Sequence, residues 1–563
     1  MKKLSSIFFV SVCALVISLP AMSQSCTSAV CTAASPNQSD VLAALPSSGN
    51  SNATVVVNIP AGTASWTSGI NYTVPSGVTN LTIQGQSSIN WSGTAGTSSY
   101  TYSVSDRTVI QDGIPDHTYL MRITTGGSNT QFRMTGLTIE GGSGGTGYSK
   151  YGAILFLGNS NAFRFDHNHI DNTTYGSSGT STATAWVRVY GGIKGVLDHN
   201  FINMGTNTTI SGGFEAYNAV DDNIGMGDGS WASSTGWGSD KFLFMESNYY
   251  IGGAPNDCAE GGRFVMRYNT INSAYVGIQT HATKSAAGPG RGCRAYEAYH
   301  NYLTGPNDQG QGGYGASRAS GATGSKQGSA LVWGNTMAEG YYRFFQANTD
   351  RATNAVSEGS QPGNWGYCGT DVNGSGSSWD GNSNSTTGWP CMDGLGRGQD
   401  TQKLNGASTI SARVNTATGS QSWPHQYLEP IYMWNNTIPS GFTYVMIGSQ
   451  DAQNNRDYYF DCGSFNSSCS GSFNGSAGTG YGPLGSRPSS CTAGPGGTYG
   501  TSPSGSYGVA YFATDSNTLY VCSSANTWTA IYKPYTYPHP LVSGTSNTSS
   551  TPPAPTGLVS TVY

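Results

Sequence analysis

Three carboxylates and an arginine recur at one position of a repeated motif: Asp166, Asp198, Glu246 and Arg267, each two residues before an asparagine. Tyr299 and Trp333 continue the series. If successive repeats stack about 4.8 Å apart, carboxylates from three turns can share one hard cation such as Ca²⁺. Further charge surrounds them, in a chain where only 10% of residues are charged. Asp240, Lys241, Asp257, Glu260 and Arg263 flank Glu246 and Arg267, and His281, Lys284, Arg291 and Arg294 follow. β-Elimination of a uronate asks for these residue types. Cations neutralise the substrate carboxylate and acidify C5–H, and a base removes that proton. Lys or Arg acts as base only where burial or neighbouring charge lowers its pKa. Arg267, Lys241 and Arg263 are therefore the catalytic candidates. His281, Lys284, Arg294, Tyr299 and Trp333 are candidates for binding substrate, and Asp166, Asp198 and Glu246 for holding metal. The plain alternative is a solvated outer face with coil-to-coil salt bridges, each contributing about 0–1 kcal/mol.

The elements that must position these groups are short apolar strands ending in Asn. They read FRFDHNHI, GVLDHNFI, LFMESNYY, FVMRYNTI, EAYHNYL, LVWGNTM and YMWNNTI, with Asn at 168, 200, 248, 269, 301, 335 and 436. Variable intervals around a constant strand–Asn–strand unit are the pattern of a solenoid with insertions between its strands. The 48 residues between Asn200 and Asn248 leave room for a further coil. Three residues before Asn stand Phe165, Leu197, Met245, Met266, Ala298 and Val332. Two residues after it stand Ile170, Ile202, Tyr250, Ile271, Leu303 and Met337. Both columns should point inward, which turns the carboxylate column outward. Asn is expected at the bend itself, in left-handed geometry, bonded to its stacked equivalents. His167, His199 and His300 lie beside that bend and read more simply as structural than as metal ligands.

Upstream, Ser39 or Asp40 can cap a two-turn helix that Pro46 ends, a plug for the first coil. Strands are expected at 53–59, 69–74 and 80–84. The stretches VVVNIPAGTASW and NLTIQGQ, with the repeats, resemble the pectate-lyase superfamily over roughly residues 50–440. That resemblance implies an all-β, right-handed parallel β-helix. The carboxylate column is similar to the calcium site of those lyases, which lies beside a catalytic arginine, and Asp198-His199 in VLDHN resembles their WIDH stretch. Their RxPxxR motif has no close copy here. The implied roles are Ca²⁺ ligation by Asp166, Asp198 and Glu246, and catalysis by Arg267.

The remaining organisation is a leader, two inserts and a tail. Residues 1–23 have a basic start, an apolar run and a small-residue cleavage site, which predicts export. Cys13 lies in that leader. The ten other cysteines suggest the pairs 26–31, 258–293, 368–391, 462–469 and 491–522 by proximity alone. The β-helix is expected over 24–500, with a long insertion at 340–430 whose Trp365, Tyr367, Trp379 and Trp389 can stack on sugar rings. A small β-hairpin unit follows at 501–536, then a Pro/Ser/Thr-rich tail at 537–563 that reads as a linker. With 79 glycines and a net charge of −5, the chain fits an extracellular all-β protein and not a nucleic-acid or membrane binder.

The expectation is a secreted monomer, in the extracellular space or periplasm, that acts on an anionic polysaccharide as a lyase. Two alternatives stay open. A hydrolase would use Asp166 with Asp198, or Glu246 with Glu260, although the polygalacturonase motifs NTD, GHG and RIK are not apparent. A noncatalytic adhesin or glycan-binding solenoid would need no turnover at all.

Overall fold

The computed structural model describes residues 25–114, 119–127, 130–141, 153–171, 187–204, 213–218, 228–272, 277–280, 292–305, 321–338, 340–341, 343–347, 395–400, 426–447, 452–463, 465–469, 471–494 and 507–543. Parallel strands in stacked sheets dominate them, compatible with a parallel β-helix. A long sheet of twelve strands runs from Val30–Thr32 through Asn159–Asp166, Gly192–Asp198, Leu243–Glu246, Arg263–Arg267, Ala295–Tyr299 and Ser329–Trp333 to Tyr458–Tyr459. A nine-stranded sheet runs from Gly62–Trp66 to Thr336–Met337, and a six-stranded sheet from Ile70–Thr73 to Asn256–Cys258. Each middle coil visits the six-stranded, long and nine-stranded sheets in turn. Val187–Tyr190, Gly192–Asp198 and Phe201–Asn203 make one such coil.

The two sharp corners have different causes. Single glycines, Gly158 and Gly191, turn the chain from the six-stranded to the long sheet with φ of 95° and 79°. A Cβ on Gly158 would lie 2.7 Å from the Thr125 carbonyl oxygen, so the approach of neighbouring coils requires glycine there. The second corner holds the asparagines. The left-handed residue, however, is the one before Asn: His167, His199, Ser247, Tyr268, His300 and Asn435 have φ between 52° and 57°. Asn stays on the ladder because its amide satisfies the corner backbone. Asn269 Oδ1 accepts from Asn248 N–H (2.9 Å) and Nδ2 (3.2 Å), and its Nδ2 donates to the Met245 carbonyl (2.9 Å). The same bonds link 168 to 200, 200 to 248, 269 to 301, 301 to 335 and 335 to 436. No coil intervenes between Asn200 and Asn248, since Asp198 pairs directly with Glu246.

This ladder should be costly to interrupt. Asn269→Ala orphans the buried Asn248 N–H and the Met245 carbonyl, with an expected loss of about 2–4 kcal/mol in denaturant unfolding. Asn436→Ala, at the half-buried end of the ladder, should cost about 1 kcal/mol. Equal losses at the two positions would contradict the account.

Both apolar columns lie in one continuous core, in which Phe165, Leu197, Met245, Ile170, Ile202 and Tyr250 are fully buried. Near the start, a helix spans Gln38–Ala44 and buries Val41 and Ala44. Asn37 occupies its N-cap position, without a side-chain cap bond, whereas Ser39 and Asp40 fall inside the helix. At the other end, Ala510–Ala513 and Thr518–Ser524 form the expected hairpin, extended by Thr527–Tyr532. Thr479–Gly482 adds a parallel fourth strand, so this sheet recruits residues well before 501. Disulfides join 26–31, 258–293, 462–469 and 491–522. The expected 368–391 pair, the aromatic residues at 365–389 and the leader lie outside the described residues. No described helix is long and apolar enough to cross a membrane.

Candidate functional site

The strand register aligns Asp166, Asp198, Glu246, Arg267, Tyr299 and Trp333 in one outward column of the long sheet. The column faces away from the core but not into water. The C-terminal sheet covers part of it, and Trp333 and Trp434 pack with Phe512 in a second apolar cluster. Residues 533–543 cross the remainder. Arg267 donates to the carbonyls of Tyr535 (2.7 Å) and Thr536 (2.8 Å), and Glu246 accepts from His539 N–H (2.8 Å). Arg164 reaches the Leu541 carbonyl (3.2 Å).

Each carboxylate in the column is matched to an arginine. Arg133 grips Asp166 through Nε and Nη2 (2.7 and 2.6 Å), and Arg164 grips Asp198 likewise (2.8 and 2.9 Å). Arg267 binds Glu246 at 2.7 and 2.6 Å and also donates to the Tyr299 hydroxyl. His167 and His199 add bonds to Asp166 and Asp198, both at 2.9 Å, and their rings stack at 5.2 Å. Burial works to raise the Asp198 pKa, but Arg164 and His199 hold it far below the usual range. Burial likewise opposes the charge of Arg267, yet Tyr299 and Glu246 keep its pKa above the ordinary value. So held, Arg267 stays a protonated guanidinium, which has no lone pair with which to act as a base. The carboxylate oxygens are spent on guanidinium partners, and this donor set does not suit a divalent cation.

The other sequence candidates separate. Arg263 is buried and bonded at every side-chain nitrogen, to Ser230 Oγ and the carbonyls of Ser230, Ser234 and Thr235. Burial and nearby Arg294 pull its pKa down to about 9. Arg294 bonds Thr235 Oγ1 (2.8 Å) and Glu429 (3.1 Å) and lies over the Trp231 ring. Lys241 stays exposed in a turn at the rim. Tyr299 and Trp333 stack at 4.6 Å inside the second apolar cluster. His281, Lys284 and Arg291 lie outside the described residues. The structure thus brings the metal candidates and Arg267 together, pairs Arg263 with Arg294 separately, and leaves Lys241 apart.

One buried acid in this interface titrates near neutrality. Glu297 accepts from Gly238 N–H (2.8 Å) and the Tyr532 hydroxyl (3.0 Å), yet burial pushes its pKa up to about 7. A raised carboxyl pKa means the folded state holds its proton more tightly. The resulting stability is complete below the ordinary carboxyl pKa and is lost as pH rises through about 7. Glu297→Gln should flatten the fall in stability between about pH 5 and 8 by on the order of 3 kcal/mol. Urea unfolding at those two pH values checks this, and an unchanged slope would contradict it.

A different face gathers groups suited to chemistry. On the six-stranded sheet the register places Arg188, Glu215 and Asp257 on consecutive rungs, with Tyr190 paired to Tyr217 two residues along. Arg188 binds Glu215 at 2.5 and 3.3 Å and sits 5.8 Å from the Tyr217 ring centre. The two phenol rings are 4.8 Å apart, edge to face. Asp257 Oδ1 accepts from Cys258 N–H (2.8 Å), on a rung tied down by the 258–293 disulfide. Burial, then Glu260, raises the Tyr190 pKa; burial, then Glu215 and Asp257, raises that of Tyr217. Both phenols are therefore held protonated. No family model, curated protein or solved structure matches this chain. Its chemistry must be read from its own residues.

Arg188 and Glu215 escaped the sequence reading because no Asn motif flags their strands. A signal was present nonetheless. VRVY at 187–190 and FEAY at 214–217 each place a charge and a tyrosine two apart, on one face of a strand. What results is an anchored cation, two protonated phenols and carboxylates in line along the stacking direction. Those groups can neutralise a substrate charge, donate a proton and remove one. Among the described residues, no group of three or more His, Cys, Asp or Glu is arranged to hold a metal.

Proposed function

We propose that this chain is an exported, right-handed parallel β-helix, plugged by its first helix, that acts on a uronate-containing polysaccharide by β-elimination. The observation that carries this reading is Arg188, anchored by Glu215, beside the Tyr190–Tyr217 pair, with Asp257 on the rung beyond Glu215. Stacked strands align these groups along one direction, with Tyr190 half-exposed and Arg188, Glu215, Tyr217 and Asp257 buried behind it. Arg188 offsets the uronate carboxylate and so acidifies C5–H. Asp257 takes the proton, the electron pair forms the C4–C5 double bond, and the C4–O bond breaks. Half-buried Tyr190 supplies a proton to the leaving oxygen. Ca²⁺ ligation by Asp166, Asp198 and Glu246 has no part in this scheme.

One observation favours a second reading. Glu215 and Asp257 are direct register neighbours, and adjacent strands lie roughly 5 Å apart, close to the carboxylate separation of a retaining glycoside hydrolase. The test is incubation with pectate, alginate, glucuronan and glycosaminoglycans, following ultraviolet absorbance of unsaturated uronates and the release of reducing ends. Absorbance growing with reducing ends supports the lyase. Reducing ends alone shift the case to hydrolysis, and neither signal on any polymer sinks both.

A further inference from the structure

The segment that crosses the long sheet, residues 533–543, turns on one buried histidine. The His539 N–H donates to Glu246 (2.8 Å), and the ring lies 4.9 Å from the Phe244 ring and 5.5 Å from that of Tyr535. Two further bonds wind the short helix Pro540–Ser543 onto it. The His539 carbonyl accepts from Val542 N–H (2.8 Å), and Nδ1 accepts from Leu541 N–H (3.2 Å). A backbone N–H can only donate, so the second bond exists only while Nδ1 keeps its lone pair. Four strands of the long sheet present charge to this ring: Arg164, Asp198, Glu246 and Arg267. Asp198 is committed to Arg164, and Glu246 to Arg267 rather than to a metal. An imidazolium would therefore add a third cation where no carboxylate is free to meet it. Tyr537 also fastens the segment, stacking on Tyr268 at 3.7 Å and meeting Ser247 Oγ at 2.9 Å. Within 533–543, only His539 is of a type that ordinarily titrates between about pH 4 and 7.

We propose that residues 533–543 are an acid-released latch. A proton taken up at His539 Nδ1 breaks the bond from Leu541 N–H, sets a third cation beside Arg267 and Arg164, and lifts the segment off the long sheet. Burial first, then Arg267, pushes the imidazole pKa down to about 4, with Arg164 adding to this and Asp198 opposing it. The closed latch thus favours the neutral ring. Closure is complete above the ordinary imidazole pKa and is lost as pH falls through about 4. Glu297 works in the opposite sense. Acid leaves it protonated beside the Tyr532 hydroxyl, so the C-terminal sheet stays attached while the latch leaves. Opening uncovers Arg267 and Arg164 and adds the latch's own length to the chain beyond 543.

Hydrogen exchange of the full chain at about pH 7.5 and 4.5, corrected for intrinsic rates, gives the opening constant of each segment. Opening of residues 535–542 should rise at least about tenfold on acidification, and that of 510–532 by less than about threefold. His539→Asn keeps an acceptor for the Leu541 N–H and cannot titrate, so its latch should change less than about threefold over the same range. Latch opening in wild type that ignores pH overturns the proposal, as does a pH dependence that His539→Asn retains. Parallel opening of 510–532 also overturns it, because acid would then be loosening the whole C-terminal unit. The wild-type comparison of the two segments stands even where the variant fails to fold.

Discussion

Arg267→Ala is expected to destabilise the protein by about 3–5 kcal/mol, the usual cost of breaking a buried ion pair from one side. The magnitude follows from what the guanidinium leaves behind. Glu246 is fully buried and would keep only the His539 N–H as a partner among the bonds described above. The carbonyls of Tyr535 and Thr536 would lose their donor, at about 1–3 kcal/mol for each orphaned group. Because those carbonyls belong to the segment that crosses the long sheet, the loss should appear first as release of residues 533–543. Hydrogen exchange or limited proteolysis there, with urea unfolding of the whole, measures both effects. Arg267→Lys keeps the charge but not the forked geometry, and should recover only part of the loss. A stable Arg267→Ala protein with a protected C-terminal segment would contradict the clamp.

Arg188→Ala is expected to lower turnover on a uronate polymer by about 100- to 1,000-fold per folded molecule. That is the usual cost of removing one preorganised group that meets developing charge. It would leave the Glu215 carboxylate without its nearest cation, so some loss of stability should accompany the loss of rate. Arg188→Lys separates the two effects. It restores a positive charge beside Glu215 but not the planar fork, so stability should return further than rate. Equal recovery of both would mean that Arg188 serves only as a salt-bridge partner.

The repeat was legible because it is physical. Phe165, Leu197 and Met245 had to face the core for their strands to stack, and the asparagine ladder announced the corner. The left-handed residue was misplaced by one position, because the sequence displays the recurring amide and not the changing His, Ser, Tyr or Asn that bears the φ. The outward direction of Asp166, Asp198 and Glu246 could be read from alternation. What lies over them could not, since Tyr535 and His539 arrive from nearly three hundred residues downstream of Glu246. For the same reason Arg133 and Arg164 were not seen as partners: a coil away in space, they are more than thirty residues away in sequence. The Arg188–Glu215 pair was hidden differently. Its strands carry a two-residue alternation too short to stand out until the register joins VRVY to FEAY.

The central claim is that the arginine–carboxylate column of the long sheet is a structural clamp and that chemistry belongs to the six-stranded face. The most direct test is the initial rate of unsaturated-uronate formation, per folded molecule, in wild type, Arg188→Ala and Arg267→Lys on the polymer that wild type cleaves. The account predicts a fall of about 100-fold or more for Arg188→Ala and an unchanged rate for folded Arg267→Lys, which should differ only in its unfolding midpoint. A folded Arg267→Lys protein that has lost its activity, beside an Arg188→Ala protein that has kept it, would contradict the account and return the chemistry to the long sheet.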